Sequence, residues 1–306
     1  MASKITSMNH LGCPSQFDVD IYRTLHDDLA TMSVEQAVHH YFEFGEDEGR
    51  RSHSLSDRMQ FGQLAPERTL EIGPFAFPCL RGEKIKYADI YSTEKLRDLA
   101  KTSGFDPHSV PEIHYVVEPT NLSAIAGRFD GVFSSHVIEH QPDLVSHLQQ
   151  VSRLLEDGGS YFLAIPDHRY CFDHFKPAST IEEVLGAHLD GHQWHTARSV
   201  VQRLTLLAHN DAVRHWAGDH GRLGENPDYP GLGRHELLQR AVDEFRSYDG
   251  KPPNEHSWFF TPRGFRGIIQ DLLHLNLIDF EIAHLYPTMW NSIEFWAILS
   301  KVQRSD

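Results

Sequence analysis

The chain predicts an α/β protein, an open and mainly parallel sheet closed at its C-terminal end by an antiparallel hairpin. Three observations predict it. Short apolar runs alternate with helical stretches between residues 66 and 166, and strands separated by helices pair in parallel through right-handed crossovers. Two later runs, residues 277–285 and 292–299, are joined only by residues 286–291, so they form a hairpin. The first run, Arg68-Thr-Leu-Glu-Ile-Gly73, ends in a carboxylate and a glycine. A buried strand ends this way where its turn must let a ligand near the backbone.

The elements follow in order. Residues 1–16 carry little pattern and read as a loose tail, and residues 17–55 as a small helical segment. There Tyr22, Leu25 and Leu29 share one face, and Ser33 caps a helix with Ala37, Val38, Tyr41 and Phe42 inward, stopping near Gly45. So small a segment is expected to dock on the main domain, residues 56–306. Strands are expected at 69–72, 84–89, 114–117, 131–134 and 161–165, with helices near 93–101 and 143–155, the second ended by Asp157-Gly158-Gly159. A long cap, about residues 167–255, follows Pro166, and its most regular part is a helix near 196–209. Thr261 and Pro262 open a further helix running to Leu273.

Bulk properties exclude several classes. A net charge of −15 without a Lys/Arg cluster argues against a nucleic-acid partner. No apolar run is long enough to enter a bilayer, and the first residues lack the core of a signal peptide. The three cysteines are far apart and form no C-x-x-C, as in reduced cytoplasmic proteins. Twenty-two histidines bring metal and acid–base chemistry into consideration.

Asp89 stands eighteen residues after Glu71, at the end of the second strand. A glycine turn after one strand and a carboxylate ending the next can hold an adenosine, with the carboxylate on the ribose hydroxyls. Pro74 and Ala76 occupy places where a G-x-G-x-x-G would continue, which argues against a pyrophosphate cradle and so against NAD or FAD.

The phrase Phe129-Asp-Gly-Val-Phe-Ser-Ser-His-Val-Ile-Glu-His140 is similar to the "F-D-x-V-x-x-x-H-V-L-E-H" stretch of the class I S-adenosylmethionine-dependent methyltransferases, and Arg153-Leu-Leu-Glu-Asp-Gly-Gly159 resembles their "L-x-P-G-G" turn. The resemblance covers about residues 66–166 and 256–300 and implies a Rossmann-like seven-stranded sheet with S-adenosylmethionine as cofactor. Within the type 11-like members, Ala164-Ile-Pro-Asp-His-Arg-Tyr-Cys-Phe-Asp173 looks like a subgroup carrying "P-D-K-R-x-x-F-D", with His168 in place of Lys. That subgroup is common among bacterial surface-glycan genes. Tyr22-Arg-Thr-Leu-His-Asp-Asp-Leu29 and residues 37–50 likewise resemble a helical segment attached to polysaccharide-synthesis enzymes.

The resemblance implies that Glu71, Gly73 and Pro74 flank the methionine part of the cofactor and that Asp89 holds the ribose. Glu118, Asn121 and Leu122 would border the adenine, and Ser135 and His136 would close over the methionine end. It points to methylation of oxygen on a saccharide or glycan-linked acceptor. Alternatives are a non-sugar or nitrogen acceptor, and an inactive scaffold that keeps the fold. Self-association and association with glycan-synthesis enzymes both fit this reading.

A sugar hydroxyl gains from a base as its proton leaves. His140, Asp167, His168 and His256 are the candidates, with His140 or His168 the first choice. Asp167 and His168 cannot pair merely by adjacency, because successive side chains diverge. His136-Val-Ile-Glu-His140 matches the H-x-x-E-H of some zinc proteases, but it begins at a strand end, and that chemistry needs a helix. The cap histidines His188, His192 and His195, with Asp190, read as a solvated polar loop, so no metal is expected. Trp194, Trp216, Trp258 and Tyr229 suit a glycan pocket, with Trp258 near the cleft.

Overall fold

In the computed structural model, which describes residues 12–249 and 254–302, the apolar runs become one sheet. Its strands are β1 (Thr69–Ile72), β2 (Lys86–Asp89), β3 (Tyr115–Val116), β4 (Phe129–Ser135), β5 (Leu155–Pro166), β6 (Phe280–Tyr286) and β7 (Glu294–Lys301). They lie in the order β3-β2-β1-β4-β5-β7-β6. The first five are parallel, and β7 runs antiparallel between β5 and β6. This is the Rossmann-like α/β arrangement with its terminal hairpin. From β1 the chain steps out to β2 and β3, then returns to the other side of β1 for β4. The C-terminal ends of β1 and β4 therefore flank the crevice where such sheets bind ligands.

Both faces of the sheet are covered, so β1 is buried at every residue. On one face Leu70, Val132 and Leu163 pack against Leu148 and Val151 of one helix (Leu144–Leu154) and Phe265 and Ile269 of another (Pro262–His274). On the other face Phe133, Phe162 and Trp296 meet Phe61 from a short helix, Arg58–Gly62, whose ring stacks on Trp296 at 5.4 Å. Asp143 and Thr261 cap the two long helices through backbone N–H groups. Residues 73–85 carry the chain from β1 to β2 without a helix.

Several boundaries differ from expectation. The helix Leu144–Leu154 passes straight into β5, so Asp157-Gly158-Gly159 lies inside the strand's irregular start instead of separating the two. In the N-terminal segment Ser33 caps the helix as expected, in a capping box with Gln36, and Tyr22, Leu29, Ala37 and Tyr41 are buried together. Leu25, expected on one face with Tyr22 and Leu29, and Phe42, expected inward, are both exposed. A π-helical turn, Tyr41–Gly45, widens the helix there and swings Phe42 out. Residues 13–16 are not a loose tail. Pro14 and Gln16 accept hydrogen bonds from the Tyr286 hydroxyl and the Leu285 N–H of β6, and Cys13 is buried. The rest of that stretch, residues 1–11, lies outside the described residues.

The N-terminal segment docks through Gly49, whose carbonyl accepts from Trp290 N–H at 2.7 Å. Gly49 has φ +67°, and a Cβ there would lie 2.4 Å from the Trp216 ring, so no other residue fits without rearrangement. The cap is built from helices Ile181–Leu189, Ala197–Thr205, Ala212–Trp216 and Arg234–Ser247. The last is the longest helix among the described residues and was not expected from the sequence.

Candidate active site

Register brings Ile72 beside both Ala88 and Ser134, so Gly73, Asp89 and Ser135 end three adjacent strands. Gly73 adopts φ +70°, and Val137 Cγ2 stands 2.7 Å from where its Cβ would be. Only glycine admits this approach of the β4 loop. The Asp89 carboxylate accepts from Tyr91 N–H at 3.1 Å. Burial raises its pKa, against the pull of the backbone N–H groups of Tyr91, Ile90 and Phe75. Ser135 Oγ is buried without a hydrogen bond. Ile90 and Tyr91, which no sequence motif singles out, are exposed directly after Asp89. Two apolar side chains next to a carboxylate at a strand end were the signal that could have found them.

Other expected cofactor contacts are placed differently. Both oxygens of Glu71 are occupied, accepting from Cys79 N–H at 2.8 Å and Leu80 N–H at 3.0 Å. Glu71 therefore ties down the loop that replaces a crossover helix and does not face a ligand. Even so, burial outweighs these bonds and pushes its pKa up to about 7. Pro74 is buried, and Leu122 belongs to the main core, so neither side chain is open to a cofactor. Glu118 and Asn121 form a small bridge and line a cavity of about 330 Å³ with Gln141, Asp143, Ser146 and His192.

His136 takes φ +54° at the end of β4 and points its Nε2 at Glu294 Oε2, 2.8 Å away. Arg58 binds the same carboxylate, and Trp296 donates to it at 2.9 Å. Burial would raise the Glu294 pKa, but His136 and Arg58 prevail and hold it at about 2. His136 is thus a fixed part of the rim.

Beyond it a short turn, Ile138–His140, carries Glu139 into the interior at 0% exposure, with neither carboxylate oxygen hydrogen-bonded. His136 Nδ1, His140 Nε2 and His256 Nε2 face Glu139 Oε1 at 3.8, 3.9 and 4.0 Å. The far nitrogen of His140 meets the Glu255 carbonyl at 3.2 Å, and that of His256 meets Asp173 at 2.6 Å. Burial, with His256 and His195 nearby, drives the His140 pKa well below its usual value. Burial also opposes charge on His256, but Asp173 and then Glu139 overcome it and raise the pKa.

The four candidate bases therefore separate. Asp167 is completely buried, bound by Arg169 at 2.7 Å and by the Thr288 hydroxyl at 2.6 Å. It joins β5 to the hairpin and has no route to an acceptor. His140 and His256 come together around Glu139, their rings 4.4 Å apart. His168 stands aside with its Nδ1 buried and unbonded, its pKa lowered by burial. The cap histidines do not converge, since His188 binds Asp143 at 2.9 Å and His195 binds Ser257 at 2.9 Å. Trp258 is buried, donating to the Gln141 carbonyl, and lines the cap cavity that also holds Trp194. Trp194 is exposed, and Trp216 stacks on Tyr170 at 3.8 Å.

A parallel sheet with a terminal hairpin, a glycine turn after β1 and a carboxylate after β2 define the class of fold on which methyltransferases are built. A family model described as a methyltransferase domain matches residues 68–272, more than half of the chain. The chain belongs to this family. It is a methyltransferase, and its cofactor is S-adenosylmethionine. No curated protein matches. Among solved structures, the chain is similar to the CcbJ methyltransferase from Streptomyces caelestis, at 12% identity and a TM-score of 0.40 over 80% of this chain and 94% of that one. It is also similar to an S-adenosylmethionine dependent methyltransferase from Mesorhizobium loti, at 14% identity and a TM-score of 0.39 over 79% and 96%. These likenesses are distant, and the assignment rests on the family model and the strand order.

Proposed function

We propose that the protein methylates a hydroxyl group of a saccharide or saccharide-linked acceptor. S-Adenosylmethionine, when bound, supplies the activated methyl group. The turn at Gly73 and the Asp89 carboxylate would hold it, with Ile90 and Tyr91 offering apolar surface to the base and Ser135 a hydroxyl without a hydrogen bond. What remains is to align the acceptor and receive its proton. His168 is the candidate for receiving that proton, because burial lowers its pKa and so favours the neutral imidazole that a base must present.

One observation supports the saccharide reading. In the cap, a cavity of about 280 Å³ sets Trp194, 44% exposed, beside Ser179, Glu183, Thr196 and Arg198. An indole face packs on the C–H face of a sugar while such polar groups take its hydroxyls. Asp89→Ala should weaken S-adenosylmethionine binding more than tenfold in calorimetric titration, and an unchanged affinity would remove the ribose assignment. Incubating the enzyme and cofactor with panels of saccharides, amines and non-sugar alcohols, read by mass spectrometry, decides the acceptor. Methylation confined to the latter two panels would sink the saccharide reading.

A further inference from the structure

We propose that Glu139, His140 and His256 bind one divalent transition-metal ion at the seam between β4 and the cap. Glu139 is the starting point. A carboxylate taken wholly out of water costs several kcal/mol unless it is paired and hydrogen-bonded, yet both its oxygens lack a hydrogen bond. Its surroundings are built, since Ser257 and Trp258 donate their N–H groups to the Glu139 carbonyl and lock the turn to the chain returning from the cap.

The imidazoles facing it are oriented as metal ligands are. His140 Nδ1 meets the Glu255 carbonyl, and His256 Nδ1 meets Asp173, which Lys176 holds at 2.6 Å. A ring nitrogen that donates to a fixed acceptor leaves the other with its lone pair aimed forward, the arrangement that carboxylates and carbonyls impose behind ligating histidines. Both Nε2 atoms stand 3.9 to 4.0 Å from Glu139 Oε1, too far for a hydrogen bond. Three ligands on one ion with bonds of about 2.0–2.2 Å stand roughly 3.3–3.8 Å apart in tetrahedral or trigonal geometry, so these atoms would draw together on binding. The three ligand atoms lie within 4.8 Å of one another, so small side-chain movements would close the site. Two nitrogens and one carboxylate suit zinc, manganese, iron or cobalt better than calcium or magnesium, which prefer oxygen.

The second histidine cluster among the described residues, His174, His215 and His220, is different. His215 Nδ1 contacts His220 Nδ1 at 2.9 Å, and the His174 and His220 rings stack at 3.6 Å. No orphaned carboxylate faces that group, so it serves as a control. Placed beyond the end of β4, an ion held by Glu139 would polarise the acceptor hydroxyl and ease loss of its proton. That use rests on the methyl-transfer reading, whereas the binding does not.

The test uses the full chain without an affinity tag, stripped with chelator and titrated separately with Zn²⁺ and Co²⁺. Elemental analysis after desalting should give one equivalent per chain, and Co²⁺ should show absorption bands typical of nitrogen and oxygen ligands. Glu139→Gln and His256→Gln should each lower affinity at least tenfold, while His215→Gln should not. His140→Gln stands in for either variant that fails to fold by circular dichroism. Retention of no ion, or loss of binding only in His215→Gln, would overturn the site. S-Adenosylmethionine titrated into the same metal-free proteins separates the two readings. Cofactor binding without metal binding sinks only this proposal, and metal binding without cofactor binding sinks only the assignment of the cofactor rim.

Discussion

Two halves of the sheet's rim bury glutamates in opposite ways. At β1, Glu71 is held by two backbone N–H groups, and burial still pushes its pKa up to about 7. Across the crevice, Glu294 at the start of β7 is held by Arg58 and His136 and falls to about 2. Dipoles compensate a buried carboxylate only in part, whereas a guanidinium reverses the balance. Both residues nevertheless have both oxygens engaged, and both act as scaffold. Glu139, between them in the chain, has no hydrogen bond on either oxygen, and three imidazole nitrogens face it at 3.8–4.0 Å. The contrast separates carboxylates that hold the fold from one that awaits something.

The largest effect should come from Glu294. Removing one side of a buried ion pair costs about 3–5 kcal/mol, and because the Arg58 side chain is one-third exposed, about 2 kcal/mol is expected for Glu294→Gln. Urea unfolding at pH 7 measures it. The pH window follows from the depressed pKa. The stabilisation is complete above the unfolded value near 4.5 and is lost as pH falls from there toward 2. The variant should lack this acid-dependent loss, and a wild-type acid limb that persists unchanged in Glu294→Gln would break the contrast.

Glu71 should show the opposite sign and a smaller effect. Its folded pKa lies above the unfolded one, so between about 4.5 and 7 the native chain binds more protons than the unfolded chain. Stability should therefore decline as pH rises through that window. Glu71→Gln should flatten the decline in denaturant midpoints collected across it. A slope that survives the substitution would assign the titration to another group.

Much of this architecture was legible. Thr69–Ile72 reads as a buried strand because all four residues are shielded, and Ser33, Asp143 and Thr261 announce helix starts through side-chain oxygens that cap them. The helix Arg234–Ser247 was missed although Leu237, Leu238, Ala241, Val242 and Phe245 recur at helical spacing, and of these only Leu237 and Ala241 are buried. Asp89 was recognisable from its place after a strand. Glu71 was not, since nothing in a sequence shows that two N–H groups eight and nine residues later curl back to it. The Glu139 cluster was hidden for a similar reason. The H-x-x-E-H pattern carries meaning for zinc chemistry on a helix, whereas here it forms a 3₁₀ turn, and its third partner, His256, arrives only after the whole cap.

The smallest effect, and the sharpest test of the contrast, is expected at Glu139 itself. In metal-free protein Glu139→Gln replaces a carboxyl group whose pKa burial raises, and it breaks no hydrogen bond, because the side chain makes none. Stability should change by less than about 1 kcal/mol, or rise. Adding Zn²⁺ should then separate the two proteins. An ion at a hundredfold excess over its dissociation constant stabilises the chain that binds it by about 2.7 kcal/mol, and the variant should show little of this. The rival occupant of the cluster is a proton on His256, shared between Asp173 and Glu139. In that case the charge on Glu139 already has its counter-ion, and Glu139→Gln would cost about 3 kcal/mol without any metal. Thermal and urea unfolding with and without Zn²⁺ distinguish these outcomes, since only an ion site gives a stability gain that depends on both the carboxylate and the metal.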